Sequence, residues 1–255
     1  MIERILRKLG YVNKEKLFEK NHVLPKAEIT YSNDLLYTYH NADFIKKEKF
    51  SEIYKEVKAI GGKLLNNYDI QWRIHVITWF ANSVKNLEGD FVDCGVNTGF
   101  CPLAVIRYTD FSYLDKTYFL FDTFYGMDPK YSSKYEMERH ETMGYGKNDS
   151  LYEEVKFRFK DFNVQIIKGA IPETLSIPFI NKVAYLSIDM NSVIPEVEAL
   201  NYFWDKMVKG GVIILDDYGY AGCEDQKIAH DKFAKSKNVE ILSLPTCQGI
   251  IIKPY

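Results

Sequence analysis

Little in this sequence is present in excess, and what is missing narrows its class. No apolar run approaches the roughly 20 residues that cross a bilayer, so no membrane span is expected. Cysteine is scarce. Cys94, Cys101, Cys223 and Cys247 form no CxxC pair and have no zinc-finger spacing with histidine. They read as free thiols of a reducing compartment, not as a disulfide framework. Neither sign of charge dominates, since 33 Lys plus Arg stand against 35 Asp plus Glu, a net charge of −2. That balance predicts no whole-surface grip on nucleic acid or anionic membrane and leaves room only for a local basic groove. Fifteen glycines and eight prolines in 255 residues exclude a collagen-like chain, and no repeat or low-complexity tract occurs. The opening segment MIERILRKLGYVNKEK lacks the apolar core of a secretory signal. Ile2, Ile5, Leu6 and Leu9 instead make a helical stripe opposite Arg4, Arg7 and Lys8, read as a helix packed on its own domain rather than on a membrane. The expected location is cytoplasmic.

What is present is an ordinary globular composition, 46% hydrophobic and 27% charged, in a chain long enough to bury a sizeable core. Its texture changes at Gly89. Before it, residues 1–88 read as an N-terminal helical region, with helices expected over Glu52–Leu65 and Trp72–Leu87 and no clear strand. After it, residues 89–255 alternate short apolar runs with helical patterns. Strands are expected at Asp90–Cys94, Thr117–Asp122, Val164–Lys168, Val183–Asp189 and Gly211–Asp216, with a closing hairpin of Val239–Leu244 and Gly249–Lys253. Helices are expected at Cys101–Tyr108, Ile194–Val208 and Glu224–Lys235. Near-continuous apolar strands alternating with helices predict a doubly wound, mostly parallel α/β sheet, whose ligands bind at the carboxyl ends of the strands. The segment Tyr125–Phe162 breaks the alternation and is expected to be a partly helical lid.

The strand ends carry the chemistry. The first finishes in Asp93-Cys-Gly-Val-Asn-Thr-Gly99, where Gly95 and Gly99 permit a tight turn and a close backbone approach to a ligand, or simply a structural turn. Asn97 stands where the dinucleotide fingerprint has its second glycine. The second strand ends at Asp122, a carboxylate suited to both hydroxyls of a ribose or to capping a helix. Asp189 closes the fourth strand, and Asp216-Asp217 the fifth. Neighbouring strand ends lie about 5 Å apart, so three carboxylates there ask for a cation, and oxygen ligands suit Mg²⁺ or another hard ion. Helix capping is the alternative for Asp189 and Asp217.

Taken together, GDFVDCGVNTG (89–99), FLFDTFYG (119–126), IIKGAIPETL (166–175), AYLSIDMN (184–191), GGVIILDDYG (210–219) and SLPTCQGIIIK (243–253) resemble the macrocin O-methyltransferase family, in its order, over roughly residues 70–255. The resemblance implies a class I methyltransferase fold, a seven-stranded sheet whose last pair is antiparallel, and S-adenosylmethionine as cofactor. It assigns the methionine part of that cofactor to the loop of Asp93, Gly95, Val96, Asn97, Thr98 and Gly99. The ribose goes to Asp122 with Thr123, and the adenine slot to Gly169 and Ala170. A divalent metal, Mg²⁺ for choice, goes to Asp189, Asp216 and Asp217, of which Asp189 and Asp217 would also serve catalysis. Arg73 could reach the cofactor carboxylate or make a helix-surface salt bridge.

The implied activity is methylation of a sugar hydroxyl, on a nucleotide-activated or glycan-linked sugar of surface-polysaccharide or natural-product biosynthesis, and a homo-oligomer is compatible with it. One departure matters: the family often has Asp-Gly-Asp after the fourth strand, with the second Asp a candidate base, whereas this chain has Asp189-Met190-Asn191 and then Ser192. Asn cannot take a proton near neutral pH. The base is therefore open among His40, His140 and His230, with His75 read as a core residue. A non-catalytic cofactor-binding protein is the alternative that this loss favours; a nicotinamide oxidoreductase is a third reading, disfavoured by the imperfect glycine loop.

Overall fold

The computed structural model describes residues 29–143 and 148–255. The stripe at Ile2–Leu9 and the tripeptide Gly144-Tyr-Gly146 lie outside the described residues. The chain divides into two compact units, the first ending at Asp43 and the second running from Phe44 to Tyr255. The first holds a small antiparallel hairpin, β1 (Tyr31–Asn33) and β2 (Leu36–Thr38). Asp34 and Leu35 turn it with φ of 51° and 58°, the left-handed pair that a two-residue hairpin demands. Leucine is a poor signal for that conformation, which is why the sequence shows no strand before Gly89.

The second unit opens with helices α1 (Glu48–Ile60), α2 (Gly62–Asn67) and α3 (Gln71–Val84). The helix expected over Glu52–Leu65 is broken in two, because Gly62 takes a left-handed φ of 60°. Then come β3 (Asp90–Cys94), α4 (Phe100–Thr109), β4 (Tyr118–Asp122), α5 (Lys134–Met143), α6 (Leu151–Phe159) and β5 (Val164–Lys168). After them follow β6 (Val183–Ile188), α7 (Val193–Trp204), β7 (Met207–Leu215), α8 (Glu224–Ser236), β8 (Leu242–Ser243) and β9 (Gly249–Ile252).

Seven strands form one sheet in the order β5-β4-β3-β6-β7-β9-β8. The first five run parallel, and β9 is antiparallel to both of its neighbours. This is the α/β sheet expected, with two adjustments. The helix expected to reach Val208 stops at Trp204, because Met207 already pairs with Val183 in the sheet. The penultimate strand shrinks to Leu242–Ser243, both exposed.

All six residues of β6 are buried, as befits a central parallel strand covered on both faces. One face packs Val92, Phe121, Leu186 and Ile213 under Leu200 and Phe203 of α7. On the other, the rings of Phe91, Phe111, Tyr118 and Tyr185 meet at centroid distances of 5.1–6.4 Å. α3 packs against β6, β7 and α4, so it belongs to this covering layer. The strand order reverses between β3 and β6. The chain leaves those two strands in opposite directions, which makes the crevice where such sheets bind ligands.

Candidate active site

The loop leaving β3 is fixed from both sides of that crevice. The Gly95 N–H donates to Phe121 O at 2.8 Å, and the Asp189 N–H donates to Cys94 O at 2.8 Å. Gly95 has φ of 93°, and a Cβ there would lie 1.8 Å from Asp189 O. Only glycine lets the two strand ends approach this closely. Asn97 sits at φ 49°, a left-handed turn that Asn tolerates well.

Asp122, at the end of β4, reaches into the same loop. Its Oδ2 accepts the N–H groups of Val96 (2.7 Å) and Asn97 (2.8 Å), and its Oδ1 accepts that of Phe124 (2.6 Å). Three backbone donors on one carboxylate make it the clamp of the glycine loop, with lone-pair capacity left on the oxygens for a ligand.

A cleft opens over these ends. It is lined by Gly95, Val96 and Asn97, by Asp122 and Thr123, by Gly169 and Ala170, and by Asp189 through Ser192. Tyr131, Ser132 and His140 line it from the insertion. Eight of the residues assigned to cofactor or metal from sequence thus meet at one cleft. Others do not line it. Asp93 is 2% exposed and takes a hydrogen bond from Tyr118 OH at 3.1 Å, and burial pushes its carboxyl up to about 7. Thr98 gives its carbonyl to Arg158 Nη1, and the open face of Gly99 is taken by the Phe159 ring, 2.7 Å from where a Cβ would stand. Arg73, Asp216 and Asp217 stand outside the lining as an ion cluster.

In that cluster Arg73 Nη1 donates to Asp216 Oδ2 at 2.7 Å and to Asp217 Oδ1 at 3.4 Å. Gln248, fully buried, donates from Nε2 to Asp216 Oδ1 at 2.9 Å. Arg139 of α5 lies 3.8 Å from Asp217 Oδ2 and donates to Gly222 O at 2.9 Å. It also donates to Asn191 Oδ1 at 3.4 Å, while Asn191 Nδ2 donates to Asp189 Oδ1 at 3.1 Å. The amide of Asn191 therefore bridges a cation and a carboxylate, a double role that an aspartate could not fill. Burial, then the charges of Asp216 and Asp217, push the Asp189 carboxyl well up, and burial and Asp216 raise Asp217 to about 7.

The sequence model of one family, macrocin O-methyltransferase (TylF), matches residues 71–242. The chain belongs to the macrocin O-methyltransferase family. It is accordingly an O-methyltransferase. Curated proteins give no match. Among solved structures, the chain is similar to the O-methyltransferase NovP, with 23% identity, 72% of this chain and 80% of that one covered, and a TM-score of 0.61. It is similar to CalS11, described as a TDP-rhamnose 3′-O-methyltransferase of calicheamicin biosynthesis, with 13% identity, 84% and 96% covered, and a TM-score of 0.53. The third is the methyltransferase PaMTH1 of Podospora anserina, bound to S-adenosylhomocysteine, with 13% identity, 100% and 97% covered, and a TM-score of 0.53. At these identities the likeness is one of fold, and it matches the class I methyltransferase sheet described above.

Within this family's architecture the metal expectation finds no support. The chemistry of Asp189, Asp216 and Asp217 suits a hard cation. Among the described residues no three His, Cys, Asp or Glu side chains are arranged to hold a metal ion. Arg73 and Arg139 bring positive charge to Asp216 and Asp217. Counter-charges from distant segments are invisible in sequence.

The histidines also separate. His75 stacks on Phe44 with ring centroids 4.0 Å apart. His230 is buried with its Nε2 3.0 Å from Glu196 Oε2, and His40 is exposed. His140 alone of these lines the cleft. Sequence reasoning missed Arg139, Glu136, Glu196 and Gln248. Gln248 had a legible signal, a polar residue at the root of the apolar run Gly249–Ile252; the other three had none.

Proposed function

We propose that the protein transfers the methyl group of S-adenosylmethionine to a sugar hydroxyl, with the cleft between β3, β4 and β6 holding both partners. The observation that carries this reading is the convergence of the Gly95–Asn97 backbone, Asp122 and Gly169-Ala170 with the Asp189–Ser192 turn at one strand-end crevice. The first group fits the cofactor. Gly95 lets the β3 loop close against the Asp189 backbone, which seats the loop at the cleft, and Asp122 offers acceptor oxygens to ribose hydroxyls. When bound, S-adenosylmethionine supplies a methyl group on a cationic sulfur, open to in-line displacement by oxygen.

The chain's own residues then have three tasks. The Asp189–Ser192 turn orients the acceptor hydroxyl against that methyl, and positioning of this kind can supply much of the rate. α5 keeps water out. Glu136 Oε1 accepts the Val193 N–H at 2.8 Å and Arg139 binds Gly222 O, so the insertion is latched to two strand-end loops. His140 takes the hydroxyl proton on an imidazole nitrogen. Burial lowers its pKa from 6.5, so it is neutral and able to accept at neutral pH.

The acceptor class, a nucleotide-activated or glycan-linked sugar, is favoured by aromatic walls at Phe124 and Tyr131 and by the TDP-rhamnose 3′-O-methyltransferase CalS11 among the similar structures. The cofactor assignment is tested by calorimetry with S-adenosylhomocysteine. Asp122→Ala leaves three amides of the loop without their acceptor, so affinity should fall by about 2–3 kcal/mol, roughly 30- to 150-fold. Unchanged affinity would remove Asp122 from the site. Stabilisation by NAD, with none by S-adenosylhomocysteine, would favour an oxidoreductase instead.

A further inference from the structure

The turn that faces the cleft is held by a buried polar group that the chemistry above does not use. Glu196 lies in the first turn of α7, 2% exposed. Its Oε1 accepts the Met190 N–H at 3.1 Å and Gln226 Nε2–H at 2.9 Å, and its Oε2 stands 3.0 Å from His230 Nε2. Gln226 and His230 are each 2% exposed and sit four residues apart on the buried face of α8, beside Phe233. A carboxylate so deeply buried is costly unless its partners are complete. An apolar side chain would fill the same space without that cost. What the carboxylate adds is direction: it accepts one particular peptide N–H, that of Met190, between Asp189 and Asn191. Asn191 holds a left-handed φ of 58°, and its amide is the bridge between Asp189 and Arg139.

We propose that Glu196, oriented by Gln226, is a positioning residue for methyl transfer: it fixes the Met190 peptide and so sets Asp189 and Asn191 at the acceptor side of the cleft. The proposal rests on the methyl-transfer reading for its kinetic consequence, but its structural consequence stands without it. Glu196 does not line the cleft, so its removal should act on the rate and not on cofactor affinity.

The test compares wild type, Glu196→Ala, Glu196→Gln and Gln226→Met. In Glu196→Ala, kcat should fall roughly 10- to 100-fold, the scale of a small misplacement at a reacting centre, while the Kd of S-adenosylhomocysteine stays within about threefold. Glu196→Gln keeps an acceptor oxygen for Met190 and should recover most of the rate. Gln226→Met, which removes one prop and leaves the turn's own partner in place, should fall between the two; it also serves if Glu196→Ala fails to fold. Amide hydrogen exchange of residues 189–193, which needs no acceptor sugar, should quicken about tenfold in Glu196→Ala and in part in Gln226→Met. Unchanged exchange in both variants overturns the proposal, as does a folded Glu196→Ala with wild-type kcat. Faster exchange with a wild-type enzyme that methylates no sugar would instead overturn the methyl-transfer reading and leave the positioning role standing.

Discussion

Replacing His140 by glutamine should lower kcat by about two to four orders of magnitude, the usual yield of general-base catalysis, and leave S-adenosylhomocysteine affinity within about threefold. An alcohol is a weak nucleophile until its proton leaves. The position where relatives often carry a second aspartate is Asn191 here, and its side chain is committed to Asp189 and Arg139. His140 reaches the cleft from α5.

The groups bearing on its charge are Asp122, which favours the protonated ring, and Arg139, which opposes it. Burial outweighs both and lowers the pKa. The sign follows. Only the neutral ring accepts a proton, so the wild-type rate should rise with pH through a midpoint below 6.5 and level off above it. His140→Gln should lose that limb. A variant that keeps both the rate and the acid limb would move the proton acceptor to the carboxyl of Asp189, which also lines the cleft and is also raised by burial.

Gly95→Ala should have the second large effect, on binding and stability together. The added methyl would stand 1.8 Å from Asp189 O and 2.5 Å from Asp189 C, which are backbone atoms that cannot rotate away. The φ of 93° adds left-handed strain. Strain and overpacking together cost about 3–5 kcal/mol, or roughly 8–15 °C in Tm for a unit of this size. Because the glycine loop and the Asp189 turn are forced apart, cofactor affinity should fall by more than roughly 100-fold, about 2.7 kcal/mol. Gly62→Ala is the control: its φ is also left-handed, but nothing lies within 4 Å of the added methyl. Its Tm should drop by only a few degrees, from strain of about 1 kcal/mol. Equal losses in the two variants would mean that backbone strain, not the contact between strand ends, governs Gly95.

The parts of this site that were legible in sequence are those that local rules fix. Asp122 and Asp189 sit where apolar strands stop, and a parallel sheet places its ligands there whatever the rest of the chain does. Gly95 was legible because a tight turn after a strand has few other solutions. The counter-charges were not. Arg73 meets Asp216 across 143 residues of sequence, and Arg139 comes from an insertion with no pattern of its own, so three aspartates read as a demand for metal. Glu196 and Gln226 were hidden for the same reason: a polar residue on a helix looks solvated until the helix facing it is known. The hairpin at Tyr31–Thr38 escaped because its turn uses Leu35, and the edge strand β8 was overdrawn because apolar alternation does not say where pairing ends.

The central claim is most directly tested by incubating the protein with S-adenosylmethionine labelled on its methyl group and a panel of nucleotide-activated sugars, then following the label. The account predicts that label moves to a sugar oxygen, as an acid-stable methyl ether, and that Gly95→Ala and His140→Gln each abolish most of that transfer. Label found on nitrogen, on carbon or on a non-sugar hydroxyl, with none on any sugar of the panel, would contradict it.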